Sequence, residues 1–301
     1  MKEFKNQSTI LTATKSAVAN TLSDYALLIK LRLTTVVVLS SALGYLIAAG
    51  SDAELQSLLL IVIGGFFVTA AANALNQVFE KDFDILMVRT SNRPLAAGRM
   101  RTTEAILFAG LSSLVGLLIL ASFNTLTVIL GMASLVLYAF VYTPMKRYST
   151  LAVAIGAIPG ALPVLIGFTA FQGTLTAFGV ALFALQFLWQ FPHFWSIGFV
   201  SFDDYQRAGF KLLPVSDGHI DRNLGLSSLF YAFLSLPVVA MMYFNGMIGV
   251  TETILCAILS LGYVILGYFF HRSFDRSSAL KLMFYSFIYL PATLLAILIL
   301  Q

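Results

Sequence analysis

Apolar residues along this chain fall into nine runs of about twenty positions each, separated by polar or charged connections. A hydrocarbon core about 30 Å thick takes about 20 residues of helix to cross, and a backbone inside lipid must satisfy its own hydrogen bonds. No stretch shows the alternation of apolar and polar residues that is typical of a barrel strand. The pattern therefore predicts nine membrane-spanning helices. The predicted spans are Leu31–Ala49, Leu58–Asn76, Ala105–Phe123, Leu126–Tyr142, Leu151–Phe171, Leu175–Val200, Leu224–Asn245, Ile248–Phe270 and Lys281–Leu300.

Composition agrees with an all-α, polytopic membrane protein, because 59% of the 301 residues are hydrophobic and only 11% are charged. With the amino terminus in the cytoplasm, all 18 Lys and Arg residues fall on the cytoplasmic side or just inside its boundary. The predicted organisation is a cytoplasmic amino-terminal extension, residues 1–24, and a nine-helix membrane domain, residues 25–301. Topology accounts for the net charge of +4, so a lipid bilayer is the expected partner and nucleic acid is not.

Charge is concentrated in two long connections, the first charged segment (residues 77–103) and the second charged segment (residues 201–223). At the start of the first, Asn76, Glu80 and Asp84 are spaced i, i+4, i+8, which places them on one face if the second helix continues. Like charges at i, i+4 destabilise a bare helix, so this row predicts a compensating cation. Oxygen donors without a neighbouring His or Cys suit Mg²⁺, which commonly joins carboxylates to phosphates.

Arginines come after the row within the first charged segment. Arg89 and Arg93 carry guanidinium groups that can each form two hydrogen bonds to phosphate oxygens. Together with the row, they predict a catalytic metal–diphosphate site. The alternative is a solvated loop that obeys the positive-inside rule, and that interpretation is favoured for Arg99 and Arg101.

The second charged segment repeats this order, with Asp203 and Asp204 followed by Arg207 and Lys211. Because four spans separate the two segments, both are expected on the same side of the membrane, in equivalent places of two tandem four-helix units. Asp203, Asp204 and Lys211 are predicted to bind substrate, and Asp204 also to bind a second metal ion. Solvated loop carboxylates are the alternative.

A third connection, YTPMKRYST, carries Lys146 and Arg147 at the predicted membrane surface. Both are predicted to bind the diphosphate group. Basic residues at this position are also expected in any membrane protein, so the two interpretations stand beside each other.

These motifs resemble the UbiA superfamily of intramembrane prenyltransferases, whose first signature, Asn-x-x-x-Asp-x-x-x-Asp, comes after the second of nine helices. Here it stands as Asn76, Glu80 and Asp84. Glu in the middle place, together with RTSNRPLAAGR, YTPMKR, GAIPGALPVLIG and PHFW…DDY..AG…LPV, resembles the protoheme IX farnesyltransferase branch. The resemblance extends from about Asp24 to the carboxyl end and implies a nine-helix prenyltransferase bundle.

Two positions depart from the pattern of that branch. Lys-Pro-Arg at the entry to the first helix is replaced by Lys30-Leu31-Arg32, which loses the bend and keeps both charges, so Lys30 is still expected to bind substrate. Asp203 and Asp204 are adjacent, whereas the second signature usually has two carboxylates four positions apart. The second metal site is therefore less well supported than the first.

The resemblance implies transfer of the farnesyl group of farnesyl diphosphate to the 2-vinyl group of heme B, with addition of water, to give heme O and diphosphate. It also implies Mg²⁺ as cofactor, a place in the bacterial inner membrane with the active site on the cytoplasmic side, and delivery of heme O to heme A synthase or to a terminal oxidase.

His193, near the end of the sixth predicted span, is the polar residue that best suits a heme substrate. It is predicted to contact the iron or a propionate, and hydrogen bonding within the bundle is an equal alternative. The neighbouring aromatic residues can line a porphyrin slot or can simply pack near a membrane interface. They are Trp189, Phe191, Phe194 and Trp195.

Three other functions compete with heme farnesylation. A UbiA-type enzyme that prenylates an aromatic quinone precursor such as 4-hydroxybenzoate would use the same diphosphate site, so it is the main alternative. A transporter would place its polar groups at mid-bilayer in broken helices, whereas here they cluster at one face. A structural assembly factor would not need the carboxylate row followed by Arg89 and Arg93.

Overall fold

The computed structural model describes residues 20–300, and within this part of the chain nine long helices are apolar enough to cross a membrane. The predicted all-α bundle is confirmed. The extension predicted over residues 1–24 falls mostly outside the described residues, and residues 20–28 are helical. The long helices are α1 (Leu31–Ala49), α2 (Leu55–Asp84), α3 (Thr102–Ala121), α4 (Thr125–Met145), α5 (Ala152–Gln172), α6 (Ala177–Val200), α7 (Asn223–Phe244), α8 (Val250–Ser273) and α9 (Arg276–Leu300).

The largest differences from the predicted spans lie at the charged ends of two helices. Helix α2 continues from Asn76, where its apolar run ends, to Asp84, and α9 begins at Arg276 instead of Lys281. Hydropathy marks only the apolar part of a helix, whereas Glu, Lys and Arg have good helix propensity. The extension of α2 carries the whole Asn76–Asp84 row on regular helix.

Two of the long helices contain an irregular turn. In α4, residues Leu137–Tyr142 form a π-helical turn that ends two residues before Pro144, which cannot donate a backbone hydrogen bond. In α7, the helix breaks at Leu234, because Pro237 lacks an N–H and its ring would clash with the carbonyl of Phe233, four residues earlier.

Helix α5 is the most buried of the nine and packs against α1, α4 and α6. Its contact with α1 is close because glycines meet the facing backbone. A Cβ on Gly167 would overlap the carbonyl oxygen of Ser41, and a Cβ on Gly44 would overlap that of Val164. The small-residue stretch in α5 therefore serves helix packing, as expected for helices in lipid.

The second charged segment folds outside the helical bundle. A short helix (Phe202–Arg207) is followed by a two-stranded antiparallel hairpin, β1 (Val215–Ser216) and β2 (His219–Ile220). Asp217 and Gly218 form its turn with positive φ values of 52° and 80°. This hairpin is the only β structure within the described residues.

Candidate active site

The predicted row on α2 is buried on one helical face. Asn76, Glu80 and Asp84 expose 0%, 4% and 1% of their surface. Two carboxylates and an amide can be buried only if their oxygen atoms have partners, because an unpaired charge away from water is costly.

A cationic side chain contacts each member of the row. Lys30 Nζ donates to Asn76 Oδ1 at 2.6 Å, and Lys146 Nζ lies 2.7 Å from Glu80 Oε1. Arg93 donates to both oxygens of Asp84, at 2.7 and 2.8 Å, and lies 3.9 Å from Glu80 Oε2. These three cations come from three different connections. The structure thus joins Lys30, the row with Arg93, and Lys146 in one buried polar cluster.

Local backbone structure aims these cations at the row. Lys30 has a left-handed conformation, with φ of 51°, between residues 20–28 and α1, and this turn directs its chain toward α2. Thr90 Oγ1 donates to the carbonyl of Asp84 at 3.0 Å and stabilises the turn that follows α2. This turn brings the side chain of Arg93 back to Asp84. The position of each cation therefore depends on a specific turn.

The two lysines of this cluster have opposite pKa shifts. Burial and the nearby Arg93 guanidinium place the pKa of Lys30 well below its usual range. Burial also acts to lower the pKa of Lys146, but the adjacent Glu80 carboxylate outweighs it and raises this pKa. The Glu80 carboxylate therefore favours the charged form of Lys146, whereas burial and Arg93 act against the charged form of Lys30.

An apolar cavity of about 530 Å³ lies next to the polar cluster. Residues of α1, α2, α4, α5, α6 and α9 line it, and Tyr138 and Tyr142 on the π-helical turn of α4 form part of its wall. The hydroxyl of Tyr138 donates to Asn73 Oδ1 at 3.4 Å, and Lys146 Nζ lies 4.5 Å from the centre of the Tyr142 ring. A molecule with an apolar tail and an anionic head fits this combination of cavity and cations.

His193 is buried and lines the same cavity. Its Nδ1 lies 2.7 Å from Ser286 Oγ, and its ring stacks on Trp189 with the ring centres 4.6 Å apart. Ser286 uses its one hydroxyl hydrogen to donate to the carbonyl of Met283, so the hydrogen between Ser286 and His193 belongs to Nδ1. The lone pair of Nε2 therefore remains available. Both sequence interpretations of His193, a heme contact and a bundle hydrogen bond, are compatible with this arrangement.

Of the other aromatic residues considered for a porphyrin slot, Trp189 and Phe194 line the cavity. Phe191 and Trp195 pack against Tyr231 of α7, with ring centres 4.0 and 5.5 Å apart. These two are core residues of the bundle.

The second charged segment covers the first without joining the row. Tyr205 OH accepts from Arg89 at 3.0 Å, and the backbone N–H of Lys211 donates to the carbonyl of Lys146 at 2.6 Å. Asp204 pairs with Arg207 on the next turn, and Asp203 is exposed. Within residues 20–300 no group of three or more His, Cys, Asp and Glu side chains gathers at one point. The second segment thus contacts the first through Tyr205 with Arg89 and through Arg207, which donates to the carbonyl of Leu86 at 3.4 Å. It contacts the third connection through the backbone of Lys211, and none of these contacts uses its carboxylates.

The remaining predicted cations lie at the surface of the site. Arg147 is exposed and lies over the ring of Phe83 at 4.2 Å, and the Lys211 side chain is exposed. Arg99 was predicted to lie in a solvated loop. Its Nη2 forms an ion pair with Asp24 Oδ1 at 2.8 Å, which links residues 20–28 to the first charged segment.

Sequence reasoning missed three residues of the cluster: Asn73, Tyr138 and Tyr142. Asn73 lies one turn before Asn76 on α2, and extending the helical spacing backward would have found it. Ser134, Tyr138 and Tyr142 line the cavity at spacing i, i+4, i+8, so helical spacing would have placed the two tyrosines on one face of α4, but it could not show that this face meets the cavity.

This chain matches the UbiA prenyltransferase family over residues 37–288. It belongs to that family. It is 40% identical over 279 residues to the protoheme IX farnesyltransferase of Cytophaga hutchinsonii, covering 92% of this chain and 97% of that protein. It is 37% identical over 276 residues to the protoheme IX farnesyltransferase of Christiangramia forsetii, covering 90% and 91% of the two proteins.

Solved structures share the fold of this UbiA family member. One, from work on digeranylgeranylglyceryl phosphate synthase, gives a TM-score of 0.78 at 21% identity over 93% of this chain and 98% of that chain. A UbiA homolog from Archaeoglobus fulgidus bound to DMAPP and Mg²⁺ gives 0.70 at 18% identity, over 92% and 100%. The resemblance inferred from the sequence, to the UbiA superfamily and its protoheme IX farnesyltransferase branch, is confirmed.

Proposed function

We propose that this integral membrane protein transfers the farnesyl group of farnesyl diphosphate to the 2-vinyl group of heme B, giving heme O and diphosphate. The observation that carries this function is the position of the polar cluster at one end of an apolar cavity, in a chain whose relatives are protoheme IX farnesyltransferases. The cations suit the diphosphate, and a cavity of about 530 Å³ suits an isoprenoid chain beside a planar acceptor.

The donor set of the row fits Mg²⁺. Asn76, Glu80 and Asp84 offer only oxygen atoms, all on one buried face, and a hard cation prefers such ligands. These three residues would hold the metal, and Asp204 stays a prediction as a ligand of a second ion. When bound, Mg²⁺ supplies Lewis-acid stabilisation of negative charge on the diphosphate.

The cations now paired with the row are the groups that would bind the diphosphate. Lys30, Lys146 and Arg93 each contact an oxygen of the row. Arg89, four residues before Arg93, is exposed and bonds to Tyr205, and we propose that it binds the diphosphate from that position. As the allylic C–O bond of farnesyl diphosphate breaks, negative charge develops on the leaving group, and these pre-placed cations stabilise it. A bound diphosphate would favour the charged form of Lys30, because its negative charge opposes the effect of burial and of Arg93 on the pKa of this side chain.

The cavity directs the allylic cation to its acceptor. Its walls keep the farnesyl chain away from bulk water, and the Nε2 of His193 is a suitable ligand for the iron of heme B. The terminal vinyl carbon then forms a bond to the first carbon of the farnesyl cation. Water adds to the carbon next to the porphyrin and loses a proton, which completes heme O.

We place the site on the cytoplasmic side of a bacterial inner membrane. The distribution of Lys and Arg supports this orientation, and the relatives from Cytophaga hutchinsonii and Christiangramia forsetii are bacterial proteins. Delivery of heme O to heme A synthase or to a terminal oxidase stays a prediction from the resemblance.

The decisive test is an acceptor assay on the purified protein in detergent with Mg²⁺ and farnesyl diphosphate. We expect heme B to yield heme O, detected by mass spectrometry, and we expect chelation of Mg²⁺ to stop the reaction. Turnover of 4-hydroxybenzoate with no product from heme B would instead support prenylation of a quinone precursor and would retain the diphosphate site.

A further inference from the structure

Helix α6 presents three buried polar side chains to the cavity: Gln186, Gln190 and His193. They expose 4%, 1% and 7% of their surface and are spaced i, i+4, i+7, so they lie on one face of the helix. The resemblance and the diphosphate site account for His193 alone. Polar groups within a membrane span are costly, so the two glutamines need their own explanation.

Hydrogen bonds fix the orientation of the Gln186 amide. Its Nε2 donates to the carbonyl of Gly160 at 2.9 Å, and because a carbonyl can only accept, nitrogen must occupy that side of the amide. Its Oε1 then faces away from Gly160. No donor within the described residues reaches this atom.

This unpaired acceptor is specific to Gln186. Three buried side-chain polar atoms within residues 20–300 have no hydrogen-bond partner. Of these three atoms, only the Oε1 of Gln186 belongs to a residue that lines the cavity. The amide of Gln190, by comparison, donates to the carbonyls of Ala157 and Gln186 at 2.9 and 3.1 Å. Since an unmet buried acceptor costs free energy, a donor from a bound molecule is expected at Gln186.

The chemistry of the substrates identifies that donor. Neither the farnesyl chain nor the vinyl group has an N–H or O–H, whereas the reaction consumes one water. We propose that Gln186 is a positioning residue, whose Oε1, covered by protein in this structure, is uncovered when the substrates bind and then accepts a hydrogen bond from the water molecule that adds to the cation formed after farnesyl transfer. This inference rests on the proposed function.

The addition of water is balanced in atoms and electrons. The vinyl π electrons form the new C–C bond and leave a cation on the carbon attached to the porphyrin. A lone pair of the held water forms the C–O bond, and the resulting oxonium ion loses its proton to the departed diphosphate. Without a held water, the same cation loses a proton from its neighbouring CH₂ group and becomes an alkene that is one water lighter than heme O.

The test compares Gln186→Met with Gln186→Glu in the acceptor assay. Met has a similar volume and no strong acceptor, so we expect farnesyl transfer to continue while the ratio of heme O to alkene falls by up to about tenfold, the loss that one hydrogen bond explains. Glu buried in its neutral form can donate to Gly160 and still accept, so it should retain heme O as product. Gln77→Met is the matched control, because Gln77 has the same unpaired Oε1 but does not line the cavity.

A second measurement uses the unsubstituted protein and is therefore independent of how a variant folds. Methanol added to the assay competes with water for the cation. We expect the hydroxyl product to persist with little methyl ether, and water labelled with heavy oxygen to label the hydroxyl. An unchanged product ratio in Gln186→Met, or methyl ether in proportion to the added methanol, would overturn the role of Gln186. A wild-type protein that forms no farnesylated heme of either kind would refute the proposed function itself.

Discussion

In the first charged segment, Glu80 and Asp84 are buried and each contacts a cationic side chain, whereas in the second, Asp203 is exposed and Asp204 pairs with Arg207. Both segments have carboxylates followed by basic residues, at the ends of spans four apart. They differ in how far the helix continues past its apolar run. Helix α2 continues for two turns and carries its carboxylates into the bundle, whereas α6 ends at Val200.

This difference explains which segment holds charge in a fixed position. A carboxylate on a continuous helix has few conformations to lose when a ligand binds, and its buried partners keep it oriented. An exposed pair on a short helix is screened by water and contributes little. The row on α2 is also already bonded to the cations that would bind the diphosphate, so the same contacts hold the site together before substrate arrives. Substitutions in the two segments and in their basic partners test this contrast.

The largest effect is expected for Asp84→Ala. Loss of this oxygen donor should reduce heme O formation by at least about 100-fold, because it removes stabilisation of the developing charge. Mass spectrometry of the product measures the rate, and elution from a sizing column in detergent checks that the variant is folded. Asp82→Ala, an exposed neighbour on the same helix, should keep its activity. Full activity of Asp84→Ala would refute the metal role of the row.

Lys146→Gln tests the buried pair with Glu80. Leaving one buried charge without its partner should cost about 3 kcal/mol of stability, read as a lower unfolding temperature in detergent. Adding Glu80→Gln should restore much of that stability but not the activity, because the cation is still missing. Arg147→Gln changes the next residue, which is exposed and contacts only the ring of Phe83 among the described cation–ring pairs, and should lower the unfolding temperature much less. Equal stability of the Lys146 variant and the wild type would contradict a buried ion pair.

Arg89 tests the contact between the segments. Arg89→Gln should raise the KM for farnesyl diphosphate about tenfold, since a charged hydrogen-bond donor to phosphate is lost. Tyr205→Phe removes only the hydroxyl that accepts from Arg89 and should raise the KM about threefold at most. If both variants had the same effect, Arg89 would act by holding the second segment in place and not by binding diphosphate.

A smaller effect than that of Arg89→Gln is expected for Asp204→Asn. Its carboxylate pairs with Arg207 near the surface, so the rate should fall by about fivefold or less. A titration of the rate with Mg²⁺ distinguishes the two interpretations of this residue. A loss comparable with that of Asp84→Ala, together with a higher Mg²⁺ requirement, would support Asp204 as a ligand of a second ion and would end the contrast between the segments.

Much of the candidate site could be read from the sequence where spacing along one helix carries the information. The i, i+4, i+8 row predicted that Asn76, Glu80 and Asp84 share a face, and α2 places them so. Similar spacing cannot show which cations reach the row. The solvated-loop interpretation of Arg99 missed its pair with Asp24, because that contact depends on the path of residues 20–28.

The sequence by itself determined the number of membrane-spanning helices, their approximate bounds and the side chains that carry chemistry, because hydropathy and helical periodicity are local properties. Tertiary structure decided which of those side chains act together. Lys30, Glu80 and Lys146 come into one cluster only because α1 and α4 both pack against α2. Contacts between residues far apart in the chain depend on how helices pack and turn, and no local pattern specifies that.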